Sequence, residues 1–466
     1  MTRRKASPTS PAVSWLRVIG CASALIFAPA GRAQEPPASQ TTDASIAAAL
    51  TRISSARIQA DIEKLVSFGT RSSISAQDHA ANSAGRGIGA AREWIKAEFE
   101  RYSKDCGGCL EVQTDAFIQA PAERVPAPTP ITNVYAVLKG SDPAAAQRIV
   151  VVTGHYDSRN SDILDVTGDA PGANDDGSGT AVSLECARVL SKLKFPATII
   201  FLTVAGEEQG LYGSAHFAHM AREMQWNIEA VLNNDIVGGN KDVEQDAGTV
   251  RVFSEGIAVA ADDAQLRQIR TTGGESDSNS RQLARYIADT GAAYDIGVRP
   301  LLVFRLDRYL RGGDHYSFNQ QGFAAVRFTE YREDFHHQHQ NVRSENGIEF
   351  GDRSKFVDFD YVAGVARLNA ATLASLASAP AAPTNVKLET ASVENDSTVM
   401  WEPSAGASGY EVVWRATSSP EWEHARSVGP VTTVTLAISK DNVIFAVRAL
   451  DKAGHRSLAV VPSPER

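Results

Sequence analysis

The chain has 466 residues, more than one hydrophobic core usually organises, so two folded units are expected. Hydrophobic residues make up 43% and charged residues 22% of the sequence, which are proportions typical of globular proteins. The formal net charge of −9 argues against a nucleic-acid-binding protein, because such proteins carry a basic face.

The N-terminal segment has the pattern of an export signal. A basic start at residues 3–5 is followed by the apolar run Val18–Ala30, which is too short to span a bilayer, and by small residues that end at Ala33. We therefore expect cleavage after Ala33 and a secreted or periplasmic protein. Lipoprotein anchoring at Cys21 fits less well, because most of the apolar run lies after that cysteine. No later segment is long and apolar enough to predict a membrane span.

Two cysteines, Cys106 and Cys109, form a Cys-x-x-Cys pair. Such a pair can be redox-active, can supply half of a zinc site, or can form a disulfide. The chain has no second pair of this kind, and the signal pattern indicates export, so we expect a local disulfide.

Composition divides the remaining chain into four parts. Residues 34–45 are rich in Pro, Ser, Thr and Gln and predict a disordered mature N-terminus. Residues 46–375 alternate between helical and strand patterns. Residues 376–383 shift to Ala, Ser and Pro and indicate a linker. Residues 384–466 contain short β runs with turn signals, which predict a small all-β sandwich.

The alternation within the second part predicts an α/β fold. Buried-type strands at Arg148–Thr153, Ala197–Val204 and Ile228–Asn233 are separated by amphipathic helices. This order favours a mainly parallel central sheet with helices on both faces. In such sheets, functional residues gather beyond the carboxyl ends of the strands.

Histidine, aspartate or glutamate residues follow each of these three strands. A further aspartate lies in the loop after the first strand. These residues are His155, Asp157, Asp175, Glu207, Glu208 and Asp235. Imidazole and carboxylate ligands at one edge of a sheet suit Zn²⁺ or a similar divalent ion. Two metal ions can activate water and polarise a peptide carbonyl, while an unligated carboxylate takes the proton.

Four motifs carry these residues: Gly154–Ser158, Pro171–Gly179, Gly206–Gly210 and Asn233–Asp235. They resemble, in order, the motifs of metallopeptidase family 28, the secreted double-zinc aminopeptidases, and the resemblance covers residues 46–375. The resemblance implies that His155 and Asp235 bind one zinc ion. It implies that Glu208 and a later histidine bind a second zinc ion, and that Asp175 bridges the two.

The same resemblance assigns the remaining roles. Glu207 is implied to be the general base, and Asp157 to orient the ring of a ligand histidine. In that family, the last ligand along the chain is a histidine, and an aspartate follows it four residues later. Placing Asn341 at that aspartate position selects His337 as the last ligand, with His339 as the alternative.

The C-terminal part resembles a fibronectin type III module. The segments around Trp401 and Tyr410 carry the resemblance, and both aromatic residues are expected in its core. We expect the module to bind a surface, a polymer or a protein, or to stabilise the enzyme.

Together, these features predict a secreted aminopeptidase with two Zn²⁺ ions that acts on peptide or protein N-termini. Three alternatives stay open: a single-zinc enzyme similar to glutaminyl cyclases, a non-catalytic binding protein on the same fold, and a carboxypeptidase or dipeptidase.

Overall fold

The computed structural model describes residues 41–241 and 244–465. The predicted signal peptide at residues 1–33, including Cys21, lies outside the described residues, as does most of the predicted disordered segment 34–45. The first helix begins at Ala44, inside that segment, because the Asp43 carboxylate accepts hydrogen bonds from the first-turn N–H groups.

The described residues form eleven α-helices and one short 3₁₀ helix at Ser354–Phe356. The α-helices are α1 (Ala44–Leu50), α2 (Ser55–Val66), α3 (His79–Ser83), α4 (Ile88–Asp105), α5 (Gly177–Leu190), α6 (Glu207–Gly210), α7 (Tyr212–Glu223), α8 (Asp263–Thr272), α9 (Asn279–Ala293), α10 (His315–Gln320) and α11 (Phe359–Ser378).

Eight strands form the central sheet. They are β1 (Leu110–Gln119), β2 (Thr129–Leu138), β3 (Arg148–His155), β4 (Thr198–Val204), β5 (Asn227–Asn234), β6 (Thr249–Ser254), β7 (Arg299–Val303) and β8 (Ala325–Glu330). Their order is β1-β2-β4-β3-β5-β8-β6-β7. The four central strands, β4, β3, β5 and β8, are parallel neighbours, and antiparallel pairs occur toward both edges. The predicted α/β fold with a mainly parallel core is confirmed.

Strand β3 explains why helices cover both faces of the sheet. All of its residues are buried, and successive side chains of a strand point to opposite faces. Val150 and Val152 join the core cluster that contains residues of α5 and α11. Val151 joins the separate cluster with Phe217 of α7 and Phe318 of α10. A continuous apolar run is typical of a parallel strand covered on two sides.

Residues 244–312 continue the central sheet and its helical cover beyond the strands that the sequence predicted. They contain β6 and β7, which extend the sheet, and α9, ten residues of which are buried. Because β6 pairs antiparallel with β8, this part does not repeat the strand–helix pattern that identifies the parallel strands.

The C-terminal part contains seven strands in two sheets. The strands are β11 (Thr384–Glu389), β12 (Ser397–Glu402), β13 (Gly409–Ala416), β14 (His424–Gly429), β15 (Thr433–Leu436), β16 (Val443–Leu450) and β17 (Ser463–Glu465). One sheet has the order β15-β12-β11-β17, and the other has the order β14-β13-β16. Trp401 and Tyr410 lie in the core between them. Helix α11 ends at Ser378, inside the predicted linker 376–383.

A disulfide joins Cys106 and Cys109 between α4 and β1, as expected. A short hairpin, β9 (Arg343–Glu345) and β10 (Ile348–Phe350), lies outside both larger sheets. Among the residues that the structure describes, no helix is both long and apolar enough to cross a membrane.

Candidate metal centre

The ends of three parallel strands bring the candidate ligands to one edge of the sheet. His155 is the last residue of β3, and Asp235 follows β5 directly. Glu207 opens α6 after β4, and Asp175 lies just before α5. Because the carboxyl ends of parallel strands share an edge, these side chains meet there.

His155, Glu207 and Asp235 form what we call the first group. One potential ligand atom of each lies within 4.8 Å of those of the others. His155 Nε2 lies 3.8 Å from Asp235 Oδ1. His155 and Asp235 are buried, whereas Glu207 is partly exposed. One imidazole and two carboxylates therefore converge on one point.

Asp175, Glu208 and His339 form the second group, whose ligand atoms also lie within 4.8 Å of one another. His339 Nε2 lies 2.9 Å from Asp175 Oδ2 and 3.1 Å from Glu208 Oε2. The second group thus has the same ligand types as the first.

The carboxylate of Asp175 faces both groups. Its Oδ1 lies 3.2 Å from His155 Nε2 in the first group. Its Oδ2 lies 2.9 Å from His339 Nε2 in the second group. One side chain therefore offers an oxygen atom to each group, as a bridging ligand must.

The structure places His339 in the second group, where the sequence alignment had placed His337. The ring of His337 stacks on Phe356 with 3.7 Å between centroids, and its Nδ1 lies 3.2 Å from Asp334. The backbone of His339 has a φ of 54°, a conformation that reverses the chain direction locally. Asn341 instead accepts a hydrogen bond from the backbone of Ser161.

Buried polar atoms test whether a metal fits. His155 Nε2 and Glu208 Oε1 are buried and make no hydrogen bond among the described residues. An unsatisfied buried polar atom costs free energy, and four carboxylates crowded together repel one another. Divalent metal ions would satisfy these atoms and offset the repulsion. The residues of each group therefore fit a metal such as zinc, which takes imidazole and carboxylate ligands.

The charges of the two groups shift their pKa values. Burial lowers the pKa of His339, but the Glu208 and Asp175 carboxylates outweigh burial and raise it to about 10. Burial would raise the pKa of Asp175, yet His339 and His155 hold it well below its usual range. Burial also raises the pKa of Glu207 well above its usual value, and Asp235 adds to this effect.

Asp157 contacts both His155 of the first group and the backbone at the start of α6. Its Oδ1 lies 3.5 Å from Nδ1 of His155. Its carboxylate also accepts hydrogen bonds from the backbone N–H groups of Glu207 at 3.4 Å and Glu208 at 3.2 Å. The predicted orienting residue therefore also holds the start of α6, a contact that the sequence did not indicate.

Sequence reasoning missed Arg71, whose side chain is fully buried. Its guanidinium donates hydrogen bonds to the carbonyl oxygens of Tyr156 at 2.7 Å, Pro171 at 2.6 Å and Gly172 at 2.8 Å. It thus joins the loop after β3 to the loop that carries Asp175. No local pattern marks such an arginine, because its partners are distant in the chain.

Asp352 and Gln338 also support Asp175. The Asp352 carboxylate accepts hydrogen bonds from the backbone N–H groups of Asn174 at 2.9 Å and Asp175 at 2.7 Å. Gln338 Nε2 donates to Asp175 Oδ2 at 3.0 Å. On the first group, Arg327 Nη2 lies 2.8 Å from an oxygen of Asp235. These partners fix the orientation of ligand carboxylates.

A cavity of about 380 Å³ opens over both groups. Its floor contains the candidate ligands Asp175, Glu207, Glu208, Asp235 and His339. Its walls contain Arg124, Arg159, Gly210, Leu211, Ile236, Arg308, Arg311, Gly312 and Gln338. A substrate in this cavity would lie directly against both groups.

By fold and site, the protein is an α/β metalloenzyme with its ligands at the carboxyl edge of a central sheet. Residues 133–349 match the family model for peptidase family M28. The chain is 46% identical over 455 residues to a probable zinc metalloprotease of Pyricularia oryzae, covering 95% of this chain and 89% of that protein. It is 45% identical over 431 residues to a probable zinc metalloprotease of Pyrenophora tritici-repentis, covering 91% and 88%. The chain therefore belongs to peptidase family M28 and is a zinc metallopeptidase.

A solved structure shares the fold. The LapA aminopeptidase of Legionella pneumophila superposes with a TM-score of 0.52 and 23% sequence identity, covering 74% of this chain and 78% of that one. At this level of identity, the likeness concerns the fold alone.

Proposed function

We propose that this zinc metallopeptidase is an aminopeptidase that holds two zinc ions and hydrolyses the N-terminal peptide bond of peptides. The observation that carries the proposal is the carboxylate of Asp175, which presents one oxygen to each group of ligands. A single metal ion would leave one of the two groups without a cation.

In this proposal, His155 and Asp235 would hold one zinc ion, Glu208 and His339 would hold the other, and Asp175 would offer one carboxylate oxygen to each group. Asp157 orients His155 from behind. Two zinc ions, when bound, lower the pKa of water and polarise the peptide carbonyl.

Glu207 acts as the general base. Its carboxylate lines the cavity as part of the first group. A carboxylate at this position can take a proton from the attacking water and return that proton to the leaving amine. Asp157 keeps this side chain in place by holding the backbone N–H of Glu207.

The size and charge of the cavity support cleavage at a chain end. A volume of about 380 Å³ accommodates one or two side chains rather than a long stretch of polypeptide. The carboxylates at its floor can accept hydrogen bonds from a free α-ammonium group. An acetylated N-terminus lacks this positive charge.

Export is part of the proposal. The signal pattern at residues 1–33 supports it, and the disulfide between Cys106 and Cys109 is typical of proteins in oxidising compartments.

The test combines metal analysis with a substrate panel. Purified mature protein is analysed for zinc per chain and assayed on aminoacyl nitroanilides and their N-acetylated counterparts, with and without a chelator. The proposal expects two zinc ions and chelator-sensitive cleavage of only the free-amine substrates. One zinc ion with cyclisation of N-terminal glutamine would instead indicate a cyclase, and equal cleavage of acetylated substrates would exclude an aminopeptidase.

A further inference from the structure

The wall of the site cavity is basic although the chain as a whole is acidic. Four arginines line it, Arg124, Arg159, Arg308 and Arg311, whereas the net charge of the chain is −9. They come from three separate segments of the chain, so no local sequence pattern reveals them. Positive charge that is concentrated in a cleft focuses the field there and attracts anions.

Two of these arginines share an acidic partner with a third arginine. Glu333 lies 2.9 Å from Arg308, 3.4 Å from Arg311 and 2.9 Å from Arg251. One carboxylate therefore serves three guanidinium groups. Arg308 also contacts Asp307 at 3.1 Å and is largely buried, whereas Arg311 remains more exposed.

The other two arginines have no carboxylate partner among the described residues. Arg124 donates only to the backbone oxygen of Glu208 at 3.2 Å. Arg159 donates to the backbone oxygens of Asn160 at 3.1 Å and Ser161 at 3.4 Å. Their charges are therefore available to a ligand in the cavity.

The carboxylates at the cavity floor do not cancel this charge once zinc is bound. The four floor carboxylates belong to Asp175, Glu207, Glu208 and Asp235. Two Zn²⁺ ions carry as much positive charge as these groups carry negative charge, so the guanidinium charges of Arg124 and Arg159 remain uncompensated. This step rests on the proposed function, which supplies the two zinc ions.

We propose that the arginine wall, with Arg124 and Arg159 as its free members, binds a carboxylate of the peptide substrate. Arginine and carboxylate form short, charge-assisted hydrogen bonds, and the planar guanidinium favours this geometry. The carboxylate belongs either to an acidic side chain next to the cleaved bond or to the C-terminus of a short peptide. The wall thus makes the enzyme selective for acidic peptides or for very short ones.

Matched substrates separate these sources. The zinc-loaded full-length enzyme is assayed on tripeptide amides that carry Asp or Asn at the first or the second position. A second pair compares Leu-Ala with Leu-Ala amide. Asp and Asn have nearly the same shape, so their ratio of kcat/KM reports charge. We expect the anionic member of at least one pair to be preferred about tenfold or more, and the preference to fall with added salt.

Single substitutions identify the arginines that cause the preference for the anionic substrate. Arg159→Gln and Arg124→Gln should each reduce the preferred ratio by about fivefold or more, because each removes one charge-assisted contact. Arg267→Gln makes the same change on exposed helix α8, away from the cavity, and should leave the ratio at its wild-type value.

A binding measurement keeps the inference separate from the proposed function. Calorimetry on zinc-loaded Glu207→Gln protein compares Ala-Asp with Ala-Asn and needs no turnover. Tighter binding of Ala-Asp that is lost in a Glu207→Gln/Arg159→Gln double variant supports the arginine wall even if no free-amine substrate is cleaved. Equal affinities, together with Asp/Asn and acid/amide ratios near one in the wild type, would overturn the inference while leaving an aminopeptidase intact.

Discussion

Glu207 and Glu208 are adjacent in the chain but face different groups of ligands. They open α6, and successive residues of an α-helix point about 100° apart. Glu207 therefore faces the first group and Glu208 the second. Their different roles as base and ligand follow from this geometry and from the contact of Asp157 with both backbone N–H groups.

Glu207→Gln tests the base. We expect the variant to keep its zinc and its fold and to lose turnover by roughly 10²–10⁴-fold, because the amide cannot accept the proton from water. Zinc content and kcat are measured side by side. Glu223→Gln, an exposed change on α7, is the matched control. Wild-type turnover would refute the role of Glu207, and loss of a zinc ion would make it a ligand.

His339 and His337 differ in their contacts, which makes them a matched pair. His339→Ala removes the only imidazole of the second group, so we expect the zinc content to fall from two ions to about one. His337→Ala removes a ring that stacks on Phe356, so we expect both zinc ions to remain. Metal analysis after gel filtration measures the two contents. The reverse result would restore His337 as the ligand.

At the scale of elements, the ligand loops depend on partners that lie far away in the chain. Asp352, which follows the β9–β10 hairpin, holds two backbone N–H groups of the Asp175 loop. Arg71, which follows α2, holds carbonyl oxygens of two loops. The parallel strands bring the ligands together, and these side chains set their final orientation.

Asp352→Ala tests this support. Removal of the carboxylate leaves the N–H groups of Asn174 and Asp175 without their acceptor, so we expect zinc affinity to fall about 10–100-fold, as is usual for outer partners of metal ligands. Competition with a chromogenic chelator measures the affinity. Asp352→Asn keeps one acceptor oxygen and should recover part of the loss. The exposed Asp360→Ala variant serves as control. An unchanged zinc affinity in Asp352→Ala would show that the Asp175 loop keeps its conformation without Asp352.

At the scale of the whole molecule, the C-terminal sandwich contacts the metallopeptidase part through buried ion pairs. Asp277, just before α9, lies 2.7 Å from Arg415 of β13 and 3.3 Å from Arg285 of α9. Arg285 also donates to the backbone oxygen of Pro420 at 2.6 Å. Helix α9 packs on β6 and β7 at the edge of the central sheet. By contacting α9, the sandwich stabilises that edge. This contact supports the stabilising role expected of the module, while binding to a surface, polymer or protein stays a prediction.

Asp277→Ala tests the bracing contact. The change leaves two buried arginines without their carboxylate partner, so we expect the free energy of unfolding to fall by about 3–5 kcal/mol. Urea titration at constant pH measures this loss. Glu394→Ala, at an exposed position of the sandwich without an ion pair among the described residues, is the control. A loss below 1 kcal/mol in Asp277→Ala would mean that the pairs do not brace the domain.

Part of this protein could be predicted from local patterns. The apolar run of β3 and the helices after it imply parallel strands, and parallel strands place the residues that follow them at one edge. This reasoning places His155, Asp175, Glu208 and Asp235 at that edge. It did not identify β6 and β7, because antiparallel edge strands break the repeating pattern.

The fold class, the types of candidate ligand and the edge of the sheet where they meet can be read from the amino-acid sequence, because they follow from periodicity and strand direction. The histidine of the second group could be identified only in the folded chain, because its identity depends on the backbone conformation at His339 and on the stacking of His337 against Phe356. Folding also brings together the arginines of the wall and the ion pairs of Asp277. Their members lie far apart in the chain, and side chains brought together by folding leave no local pattern.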